Sequence, residues 1–124
     1  MKYFTFRELI RSDTAAKAGI DNMPHSIEII DNLATLGDTV LDPLRAAMGF
    51  PVIITSGYRC PALNRAVGGV ANSRHLTGRA ADINCGLRRN RLIYDWLLAQ
   101  QTSHALPIKE LLWESNGAWV HVGI

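Results

Sequence analysis

Two histidines and one carboxylate, His75, Asp82 and His121, carry the types and spacing that could do chemistry in this chain. His75 stands just before a turn containing Gly78. Asp82 falls in a run of small and apolar residues, Ala80-Ala81-Asp82-Ile83, that reads as a short strand. A lone carboxylate there is costly unless it is paired or bound to a cation. By period-two alternation Ala80, Asp82 and Asn84 share one face, and Ala80 leaves room for an ion beside Asp82. Imidazole nitrogen with carboxylate oxygen is a normal zinc donor set, and a catalytic zinc takes three protein ligands with one position open.

The third ligand is sought in the last segment, where Asn116-Gly117 is a strong hairpin signal between two apolar stretches. A two-residue turn there sets Glu114 opposite Trp119, Trp113 opposite Val120 and Leu112 opposite His121. One face then carries Leu112, Glu114, Trp119 and His121. The other carries Leu111, Trp113, Val120 and Val122, an unbroken core face. Glu114 and His121 fall diagonally across the ladder, with Cα atoms roughly 7–8 Å apart. That separation suits a carboxylate that works on a water rather than on the metal. Taken singly, each residue has a plainer reading: a loop histidine, a capping carboxylate, a surface histidine. Only convergence in space makes them a site, and periodicity cannot show convergence.

The elements that must position these groups read as follows. Thr5 and Glu8 form a capping box for a helix from about Thr5 to Arg11. Asp13 to Ala18 is a second helix ended by Gly19. Pro24 opens the main helix, whose apolar positions Ile27, Ile30, Leu33, Leu36, Val40, Leu41, Leu44 and Met48 recur at helical steps. Pro43 should kink or split it, and Gly49 ends it. Pro51 to Thr55 reads as a buried strand and Pro61 to Val67 as a short helix. Arg88 to Gln100 reads as a helix with Leu92, Ile93, Trp96 and Leu97 inward. Ile108 to Glu114 and Ala118 to Val122 are the hairpin strands. Antiparallel strands following helices predict an α+β fold, a small antiparallel sheet with helices packed around it.

At 124 residues the chain is expected to form a single domain over 1–124, and 48% hydrophobic content supplies a core. The net charge of +2 is too small for an electrostatic nucleic-acid binder. No apolar run reaches the ~18 residues of a membrane span. The first ten residues lack a secretory h-region, so synthesis without a signal peptide is expected. Cys60 and Cys85 are too few for a disulfide scaffold. His25 and His104 lie at a helix start and in a polar loop, away from the constellation.

The ordered set Ser56-Gly57-Tyr58-Arg59, Asn64, Gly68-Gly69, Ser73-x-His75-x-x-Gly78-x-Ala80-x-Asp82 and Trp119-Val120-His121 resembles the zinc D-alanyl-D-alanine carboxypeptidase family and its cell-wall peptidase relatives. The likeness spans essentially the whole chain, including Tyr3-Phe4-Thr5 and Asn22-Met23-Pro24. It is nearest the short phage and prophage branch. The hairpin also resembles the zinc hairpin of the hedgehog signalling domain, which shares the fold. The resemblance implies zinc ligands His75, Asp82 and His121, a general base, and Arg59 as the cation that steadies the substrate carbonyl or carboxylate. Ser73 is implied as a substrate contact, and Trp119 could wall the site. Many members place the base three residues before the last histidine. Here that residue is Ala118, so the base is assigned to Glu114.

The expected function is therefore zinc-dependent hydrolysis of peptidoglycan stem peptides by a monomer at the bacterial cell wall, reached after phage-type release. A D,D-carboxypeptidase comes first. Alternatives are an endopeptidase of the same fold and a zinc-holding binding domain without turnover.

Overall fold

A computed structural model describes residues 1–124. The chain opens with α1 (Phe6–Ile10), where Thr5 and Glu8 complete the expected capping box. Helix α2 (Asp13–Ala18) is capped by Ser12 and closed by left-handed Gly19. Helix α3 (Ile27–Leu36) begins three residues after Pro24, with Ser26 at its N-cap. The sequence reading placed that start too early. Asn22 explains the delay: its amide donates to the Ile10 and Tyr58 carbonyls, and its Oδ1 accepts from the Cys60 N–H. The connection before α3 is thereby tied to loops on both sides. Ile27 and Ile30, expected inward, are exposed, and the core stripe runs instead through Ile29, Leu33 and Leu36.

A single π-turn (Gly37–Leu41) joins α3 to α4 (Asp42–Met48). Pro43 has no N–H to continue the α-helical ladder, and the turn just before it widens to an i→i+5 bond from the Asp42 N–H to the Gly37 carbonyl. The expected disruption is present, and Gly49 ends α4 in the left-handed conformation. Strand β1 (Ile54–Ser56) is shorter and later than the predicted Pro51–Thr55: the register with its neighbour begins at Ile54, and before it a single backbone bond reaches across, from the Asn84 N–H to the Ile53 carbonyl. Helix α5 (Pro61–Ala66) is followed by a 3₁₀ turn (Arg74–Thr77), β2 (Ala80–Ile83), α6 (Leu87–Thr102), β3 (Glu110–Glu114) and β4 (Trp119–Gly123). On α6, Ile93 and Leu97 are fully buried and Trp96 packs against the core, but Leu92 faces solvent.

The four strands form one antiparallel sheet in the order β1-β2-β4-β3. Helices pack on one face, where Ala81, Ile83, Val120 and Val122 are fully buried with Leu33, Leu36, Val40, Leu41, Leu44, Ile93 and Leu97. Each large apolar side chain of this set stabilises the fold by roughly 1.5–3 kcal/mol over exposure. This is the α+β architecture that the sequence predicts. The other face carries polar groups. No helix is long and apolar enough to cross a membrane.

Candidate metal centre

Strand register assembles the polar face in rows. Ser56 pairs with Asp82, Asp82 with His121, and His121 with Leu112, giving one row across all four strands. The next row on the same face, two residues along, is Ala80, Gly123 and Glu110; Trp119 and Glu114 pair in the row on the other side. The hairpin register agrees with the sequence reading at every paired position. Its turn uses positive φ at Asn116 (56°) and Gly117 (90°), as a tight hairpin turn requires, and extends the left-handed backbone to Ser115 (47°), so the last paired residues are Glu114 and Trp119.

His75 comes from the 3₁₀ turn beside β2 and completes the set. One ligand atom each from His75, Asp82 and His121 falls within 4.8 Å of the others. Asp82 Oδ1 lies 3.0 Å from His121 Nδ1 and Oδ2 lies 3.3 Å from His75 Nε2. The two rings meet edge to face, with centroids 5.2 Å apart. His75 is held by the loop after β1 at two points: its Nδ1–H donates to the Gly57 carbonyl at 2.6 Å, and its carbonyl accepts from the Arg59 N–H at 3.0 Å. With Nδ1 committed, Nε2 is the nitrogen left facing Asp82. It is fully buried and outside hydrogen-bonding geometry. A buried, unpartnered imidazole nitrogen costs stability unless something binds there. Here it points into a cluster of nitrogen and oxygen donors. The donor set and the orphaned atom fit zinc.

The electrostatics favour a cation. Burial alone would raise the Asp82 carboxyl, but the hydrogen bond from His121 and the imidazole of His75 override it and hold the group well below the usual carboxylate range. His121 shows the converse. Burial would lower its pKa, but hydrogen bonds to Asp82 and Glu110 raise it. Positive charge is thus already welcome at this point of the sheet.

A cleft of about 320 Å³ opens over the three residues. Its walls bring in all four of the other expected site residues: Arg59, Ser73, Glu114 and Trp119. Arg59 is only 14% exposed and is anchored on three sides, Nε to Ser56 Oγ (3.1 Å), Nη1 to Asn64 Oδ1 (3.1 Å) and Nη2 to Asp82 Oδ2 (3.3 Å). Asn64 accepts from Arg59 and also donates to the Val70 carbonyl. Ser73 Oγ accepts from the His75 N–H, so it shapes the turn that presents His75. Tyr58 is packed in the core. His25 and His104 lie elsewhere, Cys60 caps α5, and neither cysteine is in a disulfide. A neighbouring hollow of about 360 Å³ shares Arg59 but not His75, Asp82 or His121.

One site residue escaped the sequence reading. Glu110 lines the cleft, and its Oε1 lies 2.9 Å from His121 Nε2. The signal was present: running the hairpin register two residues further back places Glu110 opposite Gly123 on the face of His121.

The whole chain has a counterpart among known proteins. It matches the family described as Peptidase M15 over residues 2–123. A stretch of 47 residues, 37% of the chain, is 45% identical to the zinc D-Ala-D-Ala carboxypeptidase of Streptomyces albus G, and covers 18% of that protein's length.

Proposed function

This chain belongs to the peptidase M15 family, whose members are zinc-dependent hydrolases of peptide bonds, and on that premise we propose that it removes the terminal D-alanine from peptidoglycan stem peptides. The observation that carries the reading is the convergence of His75, Asp82 and His121 around a buried, unpartnered nitrogen, beneath a cleft walled by Glu114 and Arg59.

In this reading His75 Nε2, an Asp82 carboxylate oxygen and His121 Nδ1 hold the zinc. When bound, zinc supplies a Lewis acid that polarises the scissile carbonyl and makes a water more acidic. Glu114, on the rim of the same cleft, takes the proton of the attacking water and returns it to the leaving amine. Arg59 binds negative charge. Three anchors leave part of its donor fork unspent, facing the oxyanion or the terminal carboxylate of the substrate. The anchors fix that fork in advance, so no reorganisation is needed when charge develops. Ser73 and Trp119 line the substrate's path, one polar and one apolar. The 124 residues form one catalytic domain that acts as a monomer at the cell wall. A binding domain without turnover would have no need of Glu114 as a base.

Defined muropeptides ending in D-Ala-D-Ala, followed by mass spectrometry, test the proposal. Loss of one alanine and release of free D-alanine is the expected result. New internal amino termini would instead make the protein an endopeptidase, and intact substrate with zinc bound would overturn catalysis altogether.

A further inference from the structure

The two histidines of the centre present opposite nitrogens. His75 spends Nδ1 on the Gly57 carbonyl and turns Nε2 inward. His121 turns Nδ1 inward, 3.0 Å from Asp82, and places Nε2 2.9 Å from Glu110 Oε1. A neutral imidazole carries one proton, so the nitrogen that donates outward decides which one can bind metal. A backbone carbonyl makes that choice for His75. The structure assigns it, for His121, to Glu110: we propose that Glu110 is a positioning residue that keeps the proton on His121 Nε2 and thereby makes Nδ1 the zinc ligand. The inference rests on the zinc reading above.

Three further features support the assignment. Glu110 sits one row from His121 and must lean across the sheet to reach it. The residue in its way is Gly123, directly opposite; a Cβ there would come within 2.9 Å of Glu110 Oε1 and 3.1 Å of Arg74 Cδ. The bare backbone at Gly123 makes room for the contact. Glu110 is also held from behind, because Arg74 Nε lies 3.3 Å from its Oε2 while Arg74 Nη1 donates to the Ile124 carbonyl at 2.9 Å. Arg74 precedes His75 in the same 3₁₀ turn. One short turn therefore fixes His75 directly and His121 through Arg74 and Glu110.

Outer partners of metal-bound histidines typically change metal affinity by about 10–100-fold. Zinc affinity, measured by chelator competition, should fall by about that factor in Glu110→Ala. Glu110→Gln keeps an acceptor oxygen and should return to within about threefold of wild type. Long-range ¹H–¹⁵N spectra of the zinc-loaded wild type should show His121 protonated at Nε2 and His75 at Nδ1. Unfolding of the metal-free variants checks that packing is intact. If Glu110→Ala fails to fold, the wild-type tautomer and Glu110→Gln still decide. A His121 proton on Nδ1, wild-type affinity in Glu110→Ala, or a Glu110→Gln variant as weak as Glu110→Ala each overturns the role. Wild-type protein that takes up no zinc overturns both this inference and the zinc reading. A wild type that binds zinc and a His75→Ala variant that does not, alongside an unaffected Glu110→Ala, overturns this inference alone.

Discussion

Glu114 and His75 border the same cleft but do separable work, and substitution should separate them. His75→Ala removes a buried proposed ligand and should abolish both zinc uptake and hydrolysis. Glu114→Gln leaves all three ligands in place and should retain zinc while the rate falls by about 10²–10⁴, the usual worth of a positioned base. Elemental analysis beside a rate assay reads both, and Glu114→Gln with full activity would move the base elsewhere. Arg59→Ala should lower the rate by about 10²–10³, as loss of an oxyanion donor does. At this scale the sequence was a good guide to residue types and a poor one to partners. His75, Asp82 and His121 could be nominated because their neighbours were apolar or turn-forming. Nothing local reveals that the Gly57 carbonyl claims one His75 nitrogen and leaves the other buried beside Asp82 without a hydrogen bond. Glu110 was passed over for a related reason. It reaches His121 diagonally across a glycine, a contact that appears only when the two strands are laid side by side.

Elements were legible where the deciding interactions were local. The Thr5–Glu8 capping box and the Asn116-Gly117 turn are each built from residues within a few positions, and both form as read. Misreadings fall where distant groups decide. The start of α3 yields to the Asn22 ties, β1 is cut to the stretch its partner can pair, and Leu92 loses its place to Ile93 and Leu97. The turn itself offers a test. Gly117 holds φ at +90°, and a Cβ there would strike the Trp113 ring and Leu87. Gly117→Ala should cost about 1–3 kcal/mol from backbone strain, before any clash is counted. It should also weaken zinc binding, because His121 rides on the same hairpin. Denaturant unfolding and chelator competition measured together check this; a variant as stable as wild type would mean that the turn is far more pliant than its geometry suggests.

For the molecule as a whole, zinc binds the folded state and should stabilise it. At a free concentration 100-fold above Kd the gain is about 2.7 kcal/mol, readable as a rise in Tm that chelator reverses. The pH dependence has a definite sign. Without metal, Asp82 is held below its unfolded value of about 3.9, so its contribution is present above that pH and fades as pH falls. His121 is raised above about 6.5, so its contribution is present below that pH and is lost as pH rises through the folded value. Zinc needs the neutral ring, so the gap in Tm between loaded and metal-free protein should widen toward alkaline pH. Parallel curves would argue against His121 as a ligand. The family, the α+β class and the requirement for zinc are legible in the sequence, the first and last because a metal site demands particular residue types in a particular order.

Asp82 and His121 are 39 residues apart in sequence and face each other on adjacent strands. The span between them holds all of α6 and the first arm of the hairpin. Closing it is an entropic cost that the packing of those elements offsets. If His75, Asp82 and His121 hold the ion as proposed, His75 and Asp82 alone make an incomplete grip, and the third donor comes only with β4 paired to β2. On that reading, zinc occupancy would report that the C-terminal strand is in place beside β2.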